Sequence, residues 1–171
     1  MTAPQLLDAE KLLARLTDLL RPAVNANSAL VGIYTGGVLI AERLHAALSL
    51  TVPLGTLDVS FYRDDYDVIG LHTQPRPSEI PFEVEGRDII LVDDVLYTGR
   101  TIRAAMNEIF DYGRPASMRL AALVDRGGRE LPIAAEFVGT SMMLPADELL
   151  VLKKDASDRL QLSVQPRKRQ A

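Results

Sequence analysis

Short apolar runs alternate with segments of helical periodicity along most of the chain, and this alternation limits the possible folds more than any other feature. Residues 29–34 predict a buried strand and residues 38–49 a helix. Residues 89–92 predict another strand, followed by apolar residues at the spacing of one helix face: Ile102, Ala105, Met106, Ile109 and Phe110. We therefore expect an α/β fold with a mostly parallel central sheet flanked by helices.

The C-terminal part of the chain has a different pattern. The runs "LLVLKK" and "RLQLSV", joined by "DASD", predict a hairpin over about residues 149–165. The basic residues 166–171 are expected to form a frayed tail. We find no internal repeat and no linker, so residues 1–171 are predicted to form a single domain.

Composition excludes several kinds of site. The chain has no cysteine, which excludes disulfides and thiolate metal sites, and its two histidines, His45 and His72, lack the spacing of a metalloprotease helix. No basic and apolar leader begins the chain, and no apolar run is long enough to cross a bilayer. We therefore expect a cytoplasmic protein with no membrane partner.

Two adjacent acids follow the apolar run 89–92 in the stretch "IILVDDVLYTGRT", residues 89–101. A continuous apolar strand is covered on both faces, so Asp93 and Asp94 are expected to emerge at the carboxyl edge of the sheet, where ligands bind. Carboxylates at that edge can accept hydrogen bonds from sugar hydroxyls or from magnesium-bound waters.

The turn "YTGRT" after the acids predicts an anion site. Successive backbone N–H groups and the positive end of the following helix attract a phosphate group. Gly99 allows a close approach, and Thr98 and Thr101 add hydroxyl donors. Acceptors for hydroxyls beside donors for phosphate predict a ribose-phosphate site. The alternative for two acids before a helix is that one caps the helix and the other is solvated.

The same thirteen residues resemble the phosphoribosyl-pyrophosphate (PRPP) motif of the type I phosphoribosyltransferases. Further segments resemble one branch, the bifunctional pyrimidine-operon regulators and uracil phosphoribosyltransferases: "PLGTLDVSFYRDD", "IPFEVEGRDIILVDDVLYTGRTIRAAM", "GRPASMRLAALVDRGGRELPI" and "AEFVG". The resemblance implies the type I phosphoribosyltransferase fold, with a mobile arm over about residues 63–88 and a small hood. It also implies transfer of the ribose 5-phosphate of PRPP to uracil, giving UMP and diphosphate, with Mg²⁺ carried as Mg-PRPP.

The resemblance implies roles for individual residues. Asp93 and Asp94 are implied to hold the ribose hydroxyls and, indirectly, the magnesium ion. Arg126 and Val151 are implied at the base, in the hood; the residues alone leave open a surface salt bridge for Arg126. The residues implied to bind PRPP or nucleotide lie in two turns: Thr35, Gly36, Val95, Leu96, Tyr97, Thr98, Gly99, Arg100 and Thr101.

The diphosphate side of the predicted site has two candidate arginines and one departure from the family pattern. Arg63 and Arg76 could offset the charge of the departing diphosphate, although a solvated loop charge is the alternative for Arg76. Relatives carry a basic residue in the turn, as in "TRG", whereas this chain has Gly36 in "TGG". We therefore expect Gly36→Arg to speed the transfer, unless the turn requires a glycine.

The resemblance further implies that UMP and UTP bind in the same pocket and control binding to a pyrimidine-operon mRNA leader, by a homodimer or homotetramer. The net charge of −4, from 19 basic and 23 acidic residues, provides no general attraction for RNA. RNA binding would need a local basic face from the few basic groups: Arg114 with Arg119, Arg126 with Arg129, Lys153 with Lys154, and residues 167–169. Two alternatives remain: the same fold with weak uracil activity and no RNA role, or a different base.

Overall fold

The computed structural model describes residues 7–60 and 76–167. Arg63, with the rest of residues 63–75 of the predicted arm, lies outside the described residues, as do residues 168–171 of the predicted tail. The helices are α1 (Ala9–Leu20), a short 3-10 helix (Arg21–Ala23), α2 (Gly36–Leu48) and α3 (Arg100–Tyr112). The strands are β1 (Ser28–Ile33), β2 (Gly55–Leu57), β3 (Asp88–Leu96), β4 (Ser117–Asp125), β5 (Phe137–Ser141), β6 (Glu148–Lys154) and β7 (Leu160–Pro166).

Five parallel strands form the central sheet in the order β2-β1-β3-β4-β5, which confirms the predicted architecture. The central strand β3 pairs with β1 only as far as Gly32↔Val92. Its pairing with β4 continues to Leu96↔Asp125. One side of β3 is therefore open beyond Val92, and this opening is where the carboxyl edge of the sheet can hold a ligand.

The side chains of β3 alternate between two apolar cores, as expected for a strand covered on both faces. Ile90 and Val92 pack with α1 and α2, whereas Ile89 and Leu91 pack with the inner face of α3. The sequence placed Phe110 on that inner face, but its side chain is 54% exposed. The face formed by residues 102, 105 and 109 already fills the space beneath α3, so the prediction for Phe110 is wrong.

Two predicted strands differ in length from the observed ones. The alternating residues 57–62, of which 61 and 62 lie outside the described residues, predict a half-buried strand, but β2 ends at Leu57, where its parallel pairing with β1 also ends. The apolar residues 133–139 predict another strand, but β5 begins only at Phe137. Ile133 instead packs in the core beside α3. Apolar residues that fill a core outside any strand explain why the apolar pattern begins before β5.

The described part of the predicted arm packs on the sheet. Glu79 and Thr56 exchange two backbone hydrogen bonds of 2.8 Å. Val84 is 1% exposed, and β3 begins at Asp88. This packing corrects the C-terminal limit of the predicted arm, because its last residues belong to the core and to the central strand.

A two-stranded antiparallel hairpin, β6 and β7, covers the segment predicted as a hairpin. Leu7 forms an antiparallel bridge with Leu162, and the Glu10 carboxylate accepts the Leu160 N–H at 2.7 Å. These contacts attach the hairpin to the beginning of α1. Within the described parts of the chain, no helix is both long and apolar enough to cross a membrane.

Candidate ribose-phosphate site

The strand order reverses direction between β1 and β3, since β2 lies to one side of this pair and β4 and β5 to the other. Parallel sheets bind ligands at such a switch point, beyond the carboxyl ends of the strands. β1 leads through Thr35 into α2, and β3 leads through residues 97–99 into α3. The two predicted turns therefore lie at the same edge, at the switch point.

Asp93 and Asp94 lie within β3, which corrects the prediction that they follow its end. They are only 7% and 8% exposed. Adjacent residues of a strand point to opposite faces, so the two carboxylates do not share one face. Asp94 lies on the face of α2, and Asp93, which pairs with Ala122, lies on the face of α3.

The first turn of α2 lies directly against β3. A Cβ atom on Gly37 would lie 2.4 Å from the Val92 carbonyl oxygen, so a side chain there cannot be accommodated. A Cβ on Gly36 would lie within the space of the Asp94 side chain. The first turn of α2 therefore lies directly against the Asp94 side chain. Sequence reasoning missed Gly37, although two glycines directly after a strand are a signal of close packing.

Gly99 forms the turn at the other side of the opening. Its φ of +94° is in the left-handed region, and it caps the N-terminus of α3. Thr98 and Thr101 are 6% and 9% exposed, and the Arg100 N–H donates to Thr98 Oγ1 at 3.2 Å. The capped helix end and the two buried hydroxyls have the chemistry of the predicted phosphate site.

The other predicted residues of this motif have different surroundings. Leu96 is 1% exposed and its side chain packs in the core beside α3, so a contact with nucleotide could come only from its backbone. The Val95 N–H donates to the Asp94 carboxylate at 3.0 Å. Arg100 is 57% exposed and its Nε donates to Glu130 at 2.8 Å. Arg100 thus forms an ion pair on the outer surface of the turn.

Arg126 is buried, which excludes the surface salt bridge left open by the sequence; its implied contact with the base stays a prediction. It is 2% exposed, and its guanidinium lies 3.9 Å from the centroid of the Tyr97 ring. Its Nη atoms donate to the backbone carbonyls of Leu144, Pro145 and Glu148 at 2.8–3.1 Å. These contacts connect the PRPP-like motif to the beginning of β6, so Arg126 holds the hairpin against the site.

The last two predicted site residues are Val151, which lies in β6, and Arg76, which lies outside the helices and strands. Val151 pairs with Ser163 in the hairpin, between Leu150 and Leu152, which pack on the core. Strand alternation therefore turns Val151 to the opposite face. The Arg76 guanidinium lies 4.9 Å from the centroid of the Tyr34 ring, and its backbone N–H donates to Asp58 at 2.5 Å. The exposed Arg76 side chain thus lies against Tyr34, next to the turn that carries Thr35 and Gly36, and its role stays a prediction.

The comparisons with known proteins agree with this arrangement. The phosphoribosyl transferase domain family matches residues 3–144. A protein named bifunctional protein PyrR from Nitrosococcus oceani is 58% identical over 139 residues, which cover 80% of this chain and 77% of that protein. A protein of the same name from Pseudomonas fluorescens is 56% identical over 132 residues, covering 77% of this chain and 79% of the relative.

Solved structures share the fold at low sequence identity. A hypoxanthine-guanine phosphoribosyltransferase from Bacillus anthracis aligns with a TM-score of 0.67 at 18% identity, over 96% of this chain and 99% of that one. An HGPRT-ase from Leishmania tarentolae in complex with GMP aligns with a TM-score of 0.67 at 15% identity, over 99% of this chain and 98% of that one. The matched domain and the PyrR relatives together show that the chain belongs to the phosphoribosyl transferase family, in the group of the bifunctional PyrR proteins.

Proposed function

We propose that the protein transfers the ribose 5-phosphate of PRPP to uracil, giving UMP and diphosphate. The observation that carries this proposal is the opening at the switch point, with Asp94 on one side and the Gly99 turn on the other. The identity of 56–59% to proteins named PyrR supports it. The base stays a prediction from the sequence, since the purine enzymes with solved structures share only the fold.

The site residues would contact two different parts of the substrate, the 5-phosphate and the ribose hydroxyls. The Thr98–Thr101 turn would hold the 5-phosphate through backbone N–H groups and the buried threonine hydroxyls. Asp94 and Asp93 would accept hydrogen bonds from the ribose hydroxyls. The bond from C1 to the diphosphate breaks as the bond to uracil forms, and carboxylates near the ring stabilise positive charge that develops on the sugar.

The proposed magnesium ion would arrive with PRPP. Across residues 7–60 and 76–167, no group of three or more histidine, aspartate or glutamate side chains could hold a metal ion by itself. Mg²⁺ is commonly bound by one or two carboxylates together with substrate phosphates and waters, and Asp94, which lies beside the first turn of α2, fits this smaller role. When bound, the ion would offset negative charge on the diphosphate.

Of the two arginines predicted to contact the diphosphate, Arg76 is the one that the structure describes. Its position over the Tyr34 ring lies next to the turn at Thr35 and Gly36, where β1 meets α2. A guanidinium there could form bidentate hydrogen bonds with phosphate oxygens. Arg63, which lies outside the described residues, stays a prediction in the same role.

A measurement of diphosphate release from PRPP tests the transfer reaction. Release with uracil, but not with hypoxanthine or orotate at equal concentration, would support the proposal. Release with another base would favour the alternative of a different substrate. No release with any of them, together with measurable UMP binding, would favour a nucleotide-binding protein of the same fold.

We also propose a regulatory role in which UMP or UTP binding controls contact with the mRNA leader of pyrimidine genes. The PyrR relatives are named bifunctional proteins, which supports a second role beside transfer. Within the described residues, three of the basic side chains considered for RNA form ion pairs: Arg119 with Glu136, Arg129 with Asp125 and Lys154 with Asp158. An RNA-binding surface would therefore need the proposed homodimer or homotetramer. The cytoplasmic location of the protein also stays a prediction.

A further inference from the structure

Arg129 donates hydrogen bonds from all three guanidinium nitrogens to three different segments of the chain. Nη1 donates to the Tyr97 carbonyl at 2.6 Å, and Nε donates to the Ile133 carbonyl at 2.8 Å. Nη2 forms an ion pair with the Asp125 carboxylate at 2.6 Å. The planar guanidinium thus connects the end of β4, the turn before α3 and the segment that packs behind this turn.

The carbonyl held by Arg129 belongs to the peptide group that carries the Thr98 N–H. In a trans peptide, the C=O and the N–H point in opposite directions. The cis bond found in the described residues is Tyr34–Thr35, so the peptide between Tyr97 and Thr98 is trans. The Thr98 N–H is therefore directed away from Arg129.

The next peptide is held in the same way. The Thr98 carbonyl accepts the N–H groups of Glu130 and Leu131 at 2.9 and 3.1 Å. The Gly99 N–H is consequently also directed away from the segment that follows Arg129. Two successive N–H groups that point to the same side form the kind of concave donor site that binds anions.

We propose that Arg129 is a positioning residue for the phosphate site, which it shapes by fixing the Tyr97 carbonyl from behind. The inference rests on the proposed function for the identity of the anion, the 5-phosphate of PRPP and UMP. Arg129 touches protein atoms and acts through the N–H groups of Thr98 and Gly99. Lysine cannot replace it, because one ammonium group on a flexible chain does not present a planar fork to three separate acceptors.

Calorimetric titration with ribose 5-phosphate tests the inference, since this probe has the hydroxyls and the phosphate but neither base nor diphosphate. We expect Arg129→Lys and Arg129→Gln to bind it about ten-fold more weakly than wild type. In turnover assays the KM for PRPP should rise more than kcat falls, because the 5-phosphate contact is equal in the ground and transition states.

Arg119→Gln is the matched control. Arg119 lies in β4, the strand whose last residue, Asp125, pairs with Arg129. Its side chain is 29% exposed against 24% for Arg129, and it also pairs with a carboxylate, that of Glu136. It lies near the other end of β4, away from the opening. We expect this variant to lose thermal stability as the Arg129 variants do, and to bind ribose 5-phosphate with wild-type affinity.

Wild-type affinity in a folded Arg129→Lys variant would overturn the inference, because it would show that charge alone suffices. Arg129→Lys decides the outcome if Arg129→Gln does not fold. An equal loss of affinity in Arg119→Gln would also overturn it, since a general loss of protein stability would then explain the effect. If the Lys variant binds weakly and wild type releases no diphosphate with uracil, the inference stands while the proposed function fails. Failure of wild type to bind ribose 5-phosphate would reject both.

Discussion

A Cβ atom on Gly36 would lie 2.1 Å from the Asp94 Oδ2 atom, so these two residues occupy adjoining space with no room for a side chain between them. This contact argues against the sequence-based expectation that Gly36→Arg speeds the transfer, which stays untested. We now expect the variant to displace Asp94 and to lower kcat/KM for PRPP about ten-fold or more. Steady-state kinetics checks this, with Gly36→Ala as the control that has the same Cβ and no charge. A faster Arg variant would mean that α2 can move away from β3.

Asp94→Asn should weaken PRPP binding more than Asp93→Asn. Asp94 lies at the opening, against the first turn of α2, whereas Asp93 lies on the face of α3. Loss of a charge-assisted hydrogen bond costs about 1.5–3 kcal/mol, or roughly ten- to a hundred-fold in affinity. Calorimetric titration with PRPP measures both variants. Equal, wild-type affinities would assign the two acids to helix capping and strand structure alone.

Gly99→Val should abolish UMP binding and also lower stability. A non-glycine residue at a φ of +94° is strained by about 1–3 kcal/mol, and a Cβ there would lie 3.0 Å from the Ile133 side chain. Gly99→Ala is the control, because it has the same φ without the β-branch. Thermal melting and UMP titration report the two effects separately, and normal UMP binding in Gly99→Val would locate the phosphate elsewhere.

Much of the fold could be predicted from the chain because buried parallel strands are continuous apolar runs. The run at 89–92 indicated the central strand, and the alternation of strands with helices indicated the parallel sheet. The true end of β3 could not be predicted. It depends on where its neighbour β1 stops, and this register is a property of two distant segments.

The candidate site was predicted in its chemistry and less well in its contacts. Gly99 lies at the N-terminus of α3, as the motif indicated, whereas Asp94 lies inside β3 rather than after it. The role of Arg126 was not predictable, because an arginine after a strand has the same sequence pattern whether it faces solvent or packs under a ring. Its partners are the backbone carbonyls of Leu144, Pro145 and Glu148, and backbone groups cannot be recognised from residue identity. Arg129 was noted only as part of a basic cluster for the same reason.

RNA binding by a single chain should be weak and strongly dependent on salt. Each phosphate neutralised contributes a slope of about 0.7–0.9 to the dependence of affinity on salt, and ion pairs engage Arg119, Arg129 and Lys154. Filter binding to a pyrimidine leader across salt concentrations, with and without UMP, measures this. Truncation after Gln165 is the control for the tail. Tight binding that ignores UMP and disappears with the tail would be non-specific, whereas nanomolar, UMP-dependent binding without the tail would establish a specific surface.

The turn between β6 and β7 should lose stability in acid. The backbone N–H groups of Arg159 and Ser157 hold the pKa of Asp155 below its usual value near 3.8. A carboxyl whose pKa is lower in the folded state stabilises the fold above its unfolded pKa, and this contribution is lost as the pH falls through the folded pKa. The difference in Tm between wild type and Asp155→Asn should therefore be largest near neutral pH and shrink below about pH 4. A difference that is constant with pH would contradict this assignment.

The bond between Glu10 and Leu160 joins residues 150 positions apart, and it has a consequence for how the protein is made. At roughly 5–20 residues per second, a ribosome needs about 8–30 s to add the residues between them. During this time α1 exists without β5 and β7, two of the strands that it contacts, although α2 and then β4, which it also contacts, are already made. The apolar face of Leu13, Leu16 and Leu20 is therefore covered in stages as the chain is synthesised, and the last of these contacts waits for the C-terminal hairpin.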